Sequence, residues 1–331
     1  MLSCKNHFPL WAHFVIDALC IAIFSVAFYE FYYNLPTELE SENIIIERSK
    51  DDRSTDVSYQ EEISGDTNKD ESYLYGWALK FPDKFTENVV STDISYTSPN
   101  ISVTLTKNTM ESGNSVVTYF VADIYIADIE YLQSGFARDT YGRGYAENIE
   151  DMSERLGAVI AINGDYYGRS NSGVVIRNGT VYRATPDSTD VCVLYYDGRM
   201  ETFSPDEFDV DNAIEDSAYQ AWSFGPALLD KNGFPLTEFN SSVTPLNPRT
   251  VFGYYEPGHY CFVVVDGRQT GYSRGMTMSE LSILMNKLGC RAAYNLDGGQ
   301  SSLMTMYGKI VNQPYKNGRA VSDSILIKEL E

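Results

Sequence analysis

Between Leu10 and Tyr29, seventeen of twenty residues are apolar, interrupted only by His13, Asp17 and Ser25. At 1.5 Å rise per residue such a run makes a helix of about 30 Å, the thickness of a bilayer's hydrocarbon core. No small-residue cleavage site follows, so residues 8–29 read as an uncleaved transmembrane signal anchor. Lys5 and the amino terminus precede it and acids follow it, which orients residues 1–7 as a cytoplasmic tail and the bulk of the chain outside a bacterial cell membrane. Residues 30–72 hold 13 acids against 4 bases and lack a hydrophobic period. They read as an acidic, disordered stalk. Residues 73–331 remain as the folded extracellular domain.

Within that domain the pattern changes to short β-type runs. Val116–Ile126 is rich in β-branched and aromatic residues, and Ile101–Thr106 alternates apolar and polar positions, so a pair of neighbouring strands is expected. Residues 145–156 carry helical spacing and stop at Gly157, a natural helix-ending residue. The strand Ala158–Ile162 follows, then shorter strands at 173–176, 181–183 and 191–196. Further on, Tyr260–Val265 is a buried-strand run, Thr277–Glu280 is a capping box, and Arg291–Leu296 is a second strand. Strand, helix, strand implies a right-handed crossover between parallel strands. The expected fold class is α+β or mixed α/β: a central mixed β-sheet with flanking helices, preceded by one N-terminal transmembrane helix.

Strand ends carry the chemistry. Asp165, Asp266 and Asp297 each close an apolar strand, beside Gly or Asn residues that permit tight turns. Leu156 to Asp165 and Leu288 to Asp297 also echo each other, with Leu, Gly, Ala, Asn and Asp at equal offsets. The two Asn-x-Asp turns therefore should share a local geometry. The three aspartates are expected to converge as catalytic residues. The N–H groups of Gly298 and Gly299 with the hydroxyls of Ser301 and Ser302 would cradle an anion or a sugar hydroxyl. Arg249 and Arg268 suit phosphate oxygens; Arg319 lies in a third arginine-bearing turn.

Composition narrows the chemistry. The formal net charge is −21, with no basic footprint for nucleic acid, so no nucleic-acid partner is expected. Only three histidines are present, two of them in the N-terminal segment. Multi-histidine zinc sites are excluded from the domain, and a Ser-His-Asp triad would have to use His259. That histidine reads better as a strand-edge residue. The cysteines of the domain follow no disulfide or metal spacing and read as buried thiols.

The motifs Asn163-Gly164-Asp165-Tyr166-Tyr167, Phe224-Gly225-Pro226, Asn247-Pro248-Arg249-Thr250, Val265-Asp266-Gly267-Arg268, Ser273-Arg274-Gly275-Met276-Thr277 and Asn295-Leu296-Asp297-Gly298-Gly299 resemble, in order, those of the phosphodiester glycosidase family. The similarity runs from about residue 116 to 327. One departure is Gln300, where that family usually has a third glycine; it needs an ordinary backbone angle and narrows the pocket. The resemblance implies hydrolysis of a sugar-1-phosphodiester, or of an envelope or exopolysaccharide glycan phosphodiester, at the anomeric carbon, with Asp165 and Asp297 as catalytic or sugar-binding carboxylates and Asn163 and Asn295 holding sugar hydroxyls. The leaving phosphate monoester has a second pKa of about 6, so a carboxylate to activate water and cations to hold the phosphate suffice. A divalent cation, Ca²⁺ or Mg²⁺, among the aspartates is the one cofactor the oxygen ligands admit, with Asp266 binding it or orienting Arg249. Competing readings are a non-catalytic envelope glycan-binding or exopolysaccharide-biosynthesis protein, and a metal-dependent phosphodiesterase cutting P–O.

Overall fold

A computed structural model describes residues 9–33, 35–49, 73–112 and 115–330. Residues 1–7 and 50–72, read above as a cytoplasmic tail and the greater part of a stalk, lie outside them. Three large antiparallel sheets and one two-stranded ribbon make up the described part of the domain. The largest has seven strands in the order Ala292–Asn295, Arg249–Glu256, His259–Val265, Ser115–Ile126, Ile101–Ser112, Ser95–Thr97 and Val90–Thr92. A six-stranded sheet is built around Val191–Tyr195, Ala218–Ser223 and Gly173–Arg177, and a five-stranded one around Ala158–Asn163 and Asp323–Lys328.

The strands follow the residues. Val, Ile, Phe and Tyr fill them, and one continuous core of Ile160, Val193, Trp222, Phe252, Tyr260 and Ile327 joins all three sheets. The expected pair 101–106 and 116–126 is a long hairpin in register from Ile101↔Ile126 to Ser112↔Ser115. The capping box at Thr277 and Glu280 opens the helix Met278–Lys287, whose Leu281, Leu284 and Met285 pack on Val251 and Val263. The helix Ile149–Leu156 ends at Gly157, with φ +68°.

Two expectations need correction. The central sheet is not mixed: every named strand pair among the described residues is antiparallel. His259–Val265 and Ala292–Asn295 do run the same way, because each pairs antiparallel with Arg249–Glu256 between them. The crossover strand is thus separated from its partner by a strand from upstream. Likewise the transmembrane helix is not supported. The apolar run is helical over Leu10–Tyr33, with Phe14, Ile21, Ile23, Phe24 and Val26 exposed. However, among the described residues no helix is long and apolar enough to cross a membrane.

Residues 35–49, assigned above to a disordered stalk, lie on the domain. Thr37–Glu38 pairs with Gly142–Arg143, Ile44–Ile45 pairs with Thr180–Val181, and Ile46 enters the main core. Ile46 supplies what the surrounding acids cannot, namely apolar surface to bury, while Ile44 and Ile45 stay exposed and contribute main-chain pairing.

Candidate active site

A cleft opens where the C-terminal ends of the strands Ala158–Asn163 and Ala292–Asn295 meet. Its first lobe, about 440 Å³, is lined by Asn163, Gly164, Tyr166, Asp297, Ser301 and Asp323 among others. A second lobe, about 620 Å³, is lined by Arg249, Arg268, Asn295, Gly298, Gly299 and Gln300, facing a hydroxyl-rich wall at 240–242. Asp297, Arg169 and Arg319 line both lobes, so the two are halves of one cleft.

Asp297 stands at the junction. Its Oδ2 accepts from Nη2 of Arg319 at 2.7 Å, and Arg319 Nε donates to Ser301 Oγ. Its backbone is fixed from behind: Asn163 Nδ2 donates to Asp297 O at 2.7 Å, and Asp297 N donates to Gly164 O at 3.3 Å. The two Asn-x-Asp turns share a device, each Asn donating from Nδ2 to the carbonyl of the next residue, Gly164 O at 3.2 Å and Leu296 O at 3.0 Å. Their roles then diverge. Asn163 has both polar atoms engaged, Oδ1 accepting from Thr250 and Leu303, so it holds the protein rather than a sugar. Asn295 lines the second lobe with Oδ1 buried and unpartnered.

The second lobe is cationic. Arg249 is buried, yet its Nε donates to Met276 O and its Nη2 to Pro245 O, and it forms no ion pair among the described residues. Arg268 lies at the rim, donates to Asn247 Oδ1 and covers the Tyr315 ring, also without an ion pair among them. Burial and the neighbouring Arg268 charge lower the Arg249 guanidinium to about 10. The floor is the Gly-Gly turn. A Cβ on Gly298 would sit 2.9 Å from Pro248 O, and Gly299 has φ +68°, so both positions need glycine. Gln300 stays outside the left-handed region, as expected, and its Nε2 donates to Gly318 O, tying down the 315–318 turn.

The three aspartates do not form one cluster. Asp165 is buried and lines neither lobe; its Oδ1 accepts from Arg177 at 2.9 Å and its Oδ2 from Ser223 N at 3.0 Å. Asp266 is also closed off, because Tyr272 Oη, Asn312 Nδ2 and Gln313 N occupy its carboxylate. It pins two loops and neither orients Arg249 nor faces the cleft. Ser302 is buried behind the wall, whereas Ser301 lines the first lobe. Among the described residues no group of three or more His, Cys, Asp or Glu side chains gathers to hold a metal, so the Ca²⁺ or Mg²⁺ site has no ligand set here.

The structure adds residues that motif reading passed over. Asp323 opens the strand Asp323–Lys328 and lines the first lobe. Its Oδ2 accepts from Arg177 Nη2 at 3.0 Å. Burial, then the charge of Asp165, raises its carboxyl to about 7 against the opposing pull of Arg177. Gly164 makes room for it: a Cβ there would lie 2.3 Å from the carboxylate. The available signal was an acid heading an otherwise apolar strand, Ser324-Ile325-Leu326-Ile327. Elsewhere the expectations hold: His259 Nε2 contacts Asp123 Oδ1 at 2.7 Å on a strand edge, and Cys192, Cys261 and Cys290 are free and buried.

Comparison with known proteins identifies the family. The family model described as phosphodiester glycosidase matches residues 156–328. A relative from Bacillus subtilis (strain 168), the SPbeta prophage-derived uncharacterized protein YomE, is 31% identical over 235 residues, 67% of this chain. The chain spans 35% of that relative's length. Among solved structures, the catalytic domain of zebrafish N-acetylglucosamine-1-phosphodiester alpha-N-acetylglucosaminidase, auto-inhibited by its pro-peptide, aligns with TM-score 0.57 at 18% identity. The alignment covers 73% of this chain and 88% of that one.

Proposed function

The chain belongs to the phosphodiester glycosidase family, enzymes acting on phosphodiester-linked sugars, and from that premise we propose that it hydrolyses the glycosidic C–O bond of a sugar-1-phosphodiester. The sugar occupies the first lobe and the phosphodiester the second, with its aglycone against the hydroxyl-rich wall. Asp297, at the junction, activates the water that attacks the anomeric carbon. Arg249 and Arg268 hold the phosphate, and Arg319 orients Asp297. As the C–O bond breaks, negative charge moves onto the phosphate, where preoriented guanidinium groups stabilise it without rearrangement. No strong acid is needed for a leaving group with a second pKa of about 6.

One observation carries this reading: a buried arginine and its neighbour line the cleft with no carboxylate partner among the described residues, beside an aspartate at the junction. Two like charges placed together repel unless an anion completes them. The rival reading, a metal-dependent phosphodiesterase, finds no carboxylate cluster to draw on among the described residues. Hydrolysis of UDP-GlcNAc in ¹⁸O-water by the full chain tests the assignment. Label on the sugar supports C–O cleavage; label on phosphate, or no turnover, refutes it.

We further propose that the chain attaches to a cell membrane through residues 8–29, with the domain outside. The exposed apolar side chains of that helix and the acidic residues after it support this. Carbonate extraction and protease accessibility of the domain in intact cells are the checks. A freely soluble protein would refute the attachment.

A further inference from the structure

We propose that Asp165 and Asp323 share one proton through Arg177, so that Asp323 lines the first lobe as a carboxylic acid below neutral pH while Asp165 acts as a positioning residue. The hydrolase reading above is needed only for what that acid does, not for where the proton sits.

All three side chains are 1% exposed, and a single nitrogen, Arg177 Nη2, serves both carboxylates, at 2.9 Å and 3.0 Å. The other terminal nitrogen is spent on the main-chain oxygens of Ile176 and Ala221. With both acids ionised the group would carry net negative charge sealed from water, which a low-dielectric interior disfavours. One proton removes that charge.

The hydrogen bonds say which acid keeps it. Asp165 faces the guanidinium with Oδ1 and a main-chain N–H, that of Ser223, with Oδ2. Neither donor can reverse, so Asp165 must accept on both oxygens and stays a carboxylate. Asp323 uses Oδ2 for Arg177, but its Oδ1 meets only the Ser322 hydroxyl, at 3.3 Å. A hydroxyl can turn to accept. The proton therefore sits on Asp323 Oδ1. Burial and the Asp165 charge push the Asp323 carboxyl in the same direction, up to about 7.

Other charged or titratable groups around it do not cancel this. Tyr167 lies on the protein side; Asp297, Arg319, Arg143, Arg169, Tyr145 and Tyr166 line the lobe with it. Arg319 is engaged by Asp297 and Arg143 by Asn171. At the wall of the cleft, a neutral Asp323 adds no second negative charge beside Asp297.

Carbon-13 NMR of the full chain labelled at the aspartate carboxyls tests the proposal. We expect one aspartate titrating near 7, lost in Asp323→Asn and shifted down by at least about one pH unit, a tenfold fall in proton affinity, in Asp165→Asn. An unmoved midpoint in folded Asp165→Asn overturns it, as does a wild type with no aspartate titrating above about 5.5. If Asp165→Asn does not fold, survival of the near-neutral titration in Asp323→Asn overturns the proposal equally. Turnover of UDP-GlcNAc is measured beside it. Absence in the wild type refutes the hydrolase reading and leaves the titration standing, whereas an alkaline limb that follows the midpoint in Asp165→Asn supports both.

Discussion

Asn163 and Asp297, 134 residues apart, are joined by a 2.7 Å hydrogen bond from the Asn163 carboxamide to the Asp297 main-chain oxygen. The bond crosses between sheets: Asn163 ends a strand of the five-stranded sheet, and Asp297 follows a strand of the seven-stranded one. The aspartate at the cleft junction is therefore placed by the seam between two sheets, not by its own turn alone.

Removing the Asp297 carboxylate leaves that seam intact and deletes only the group facing the cleft. Asp297→Asn is expected to lower kcat for UDP-GlcNAc at least about 10²-fold, the range for loss of a general base, with thermal stability unchanged. Steady-state kinetics with a melting curve checks it. Full activity of the variant would dismiss Asp297 as the base.

Arg249 carries a buried charge with no ionic partner among the described residues. Arg249→Met therefore breaks no ion pair and is expected to leave the melting temperature unchanged or higher in anion-free buffer. The same variant should lower kcat more than it raises KM, because the guanidinium meets more negative charge on the phosphate as the bond breaks. Inorganic phosphate should raise the wild-type melting temperature and have a smaller effect on the variant.

Stability should fall as pH rises through the Asp323 window. The unfolded carboxyl ionises near its ordinary value of about 4, and the folded one at about 7. Between these the native state binds more protons, so its stability decreases by at most about 1.4 kcal/mol per pH unit and is flat again above the folded value. Urea unfolding at pH 5 and pH 8 should show this loss in the wild type and a smaller one in Asp323→Asn.

Gly164 is wanted for space. A methyl there would sit 2.3 Å from the Asp323 carboxylate, so Gly164→Ala should cost about 1–3 kcal/mol, the usual range for overpacking. Coupled with Asp323→Ala, the penalty should shrink, and a double-mutant cycle would read an interaction of about 0.5–3 kcal/mol. Strict additivity would mean that the backbone, not the carboxylate, sets the requirement.

A chain beginning at residue 50 should be less stable than one beginning at residue 35. The longer chain keeps Ile46 in the core and strands against Gly142–Arg143 and Thr180–Val181. Paired melting curves are the measurement.

Much of the fold was legible because its signals are local. Val116–Ile126, Tyr260–Val265, the Thr277 capping box and Gly157 each announce an element within a few residues. Half of the site was legible for the same reason: Asp297, Arg249, Arg268, Gly298 and Gly299 sit in turns whose residue types disclose them. What stayed hidden depends on distance along the chain. Arg177 and Asp323 meet across 146 residues, and nothing near Asp165 says that an arginine will seal it away from the cleft. Asp266 looked the same in sequence and was claimed by Asn312 and Gln313 from a remote loop. The two crossover strands do run the same way, as read, but Arg249–Glu256 enters between them from upstream, so they form no parallel pair. In residues 35–49, sparse short strands were masked by surrounding acids.

The unneutralised pair Arg249 and Arg268 also bears on how a catalytic cycle would end. A phosphodiester brings about one negative charge to them, whereas the phosphomonoester left behind brings about one and a half to two near neutral pH. The fragment remaining after cleavage is thus a better match for the empty lobe than the intact molecule was. Accumulating product should compete with fresh substrate, and clearing that lobe, rather than breaking the bond, then governs the pace of repeated turnover.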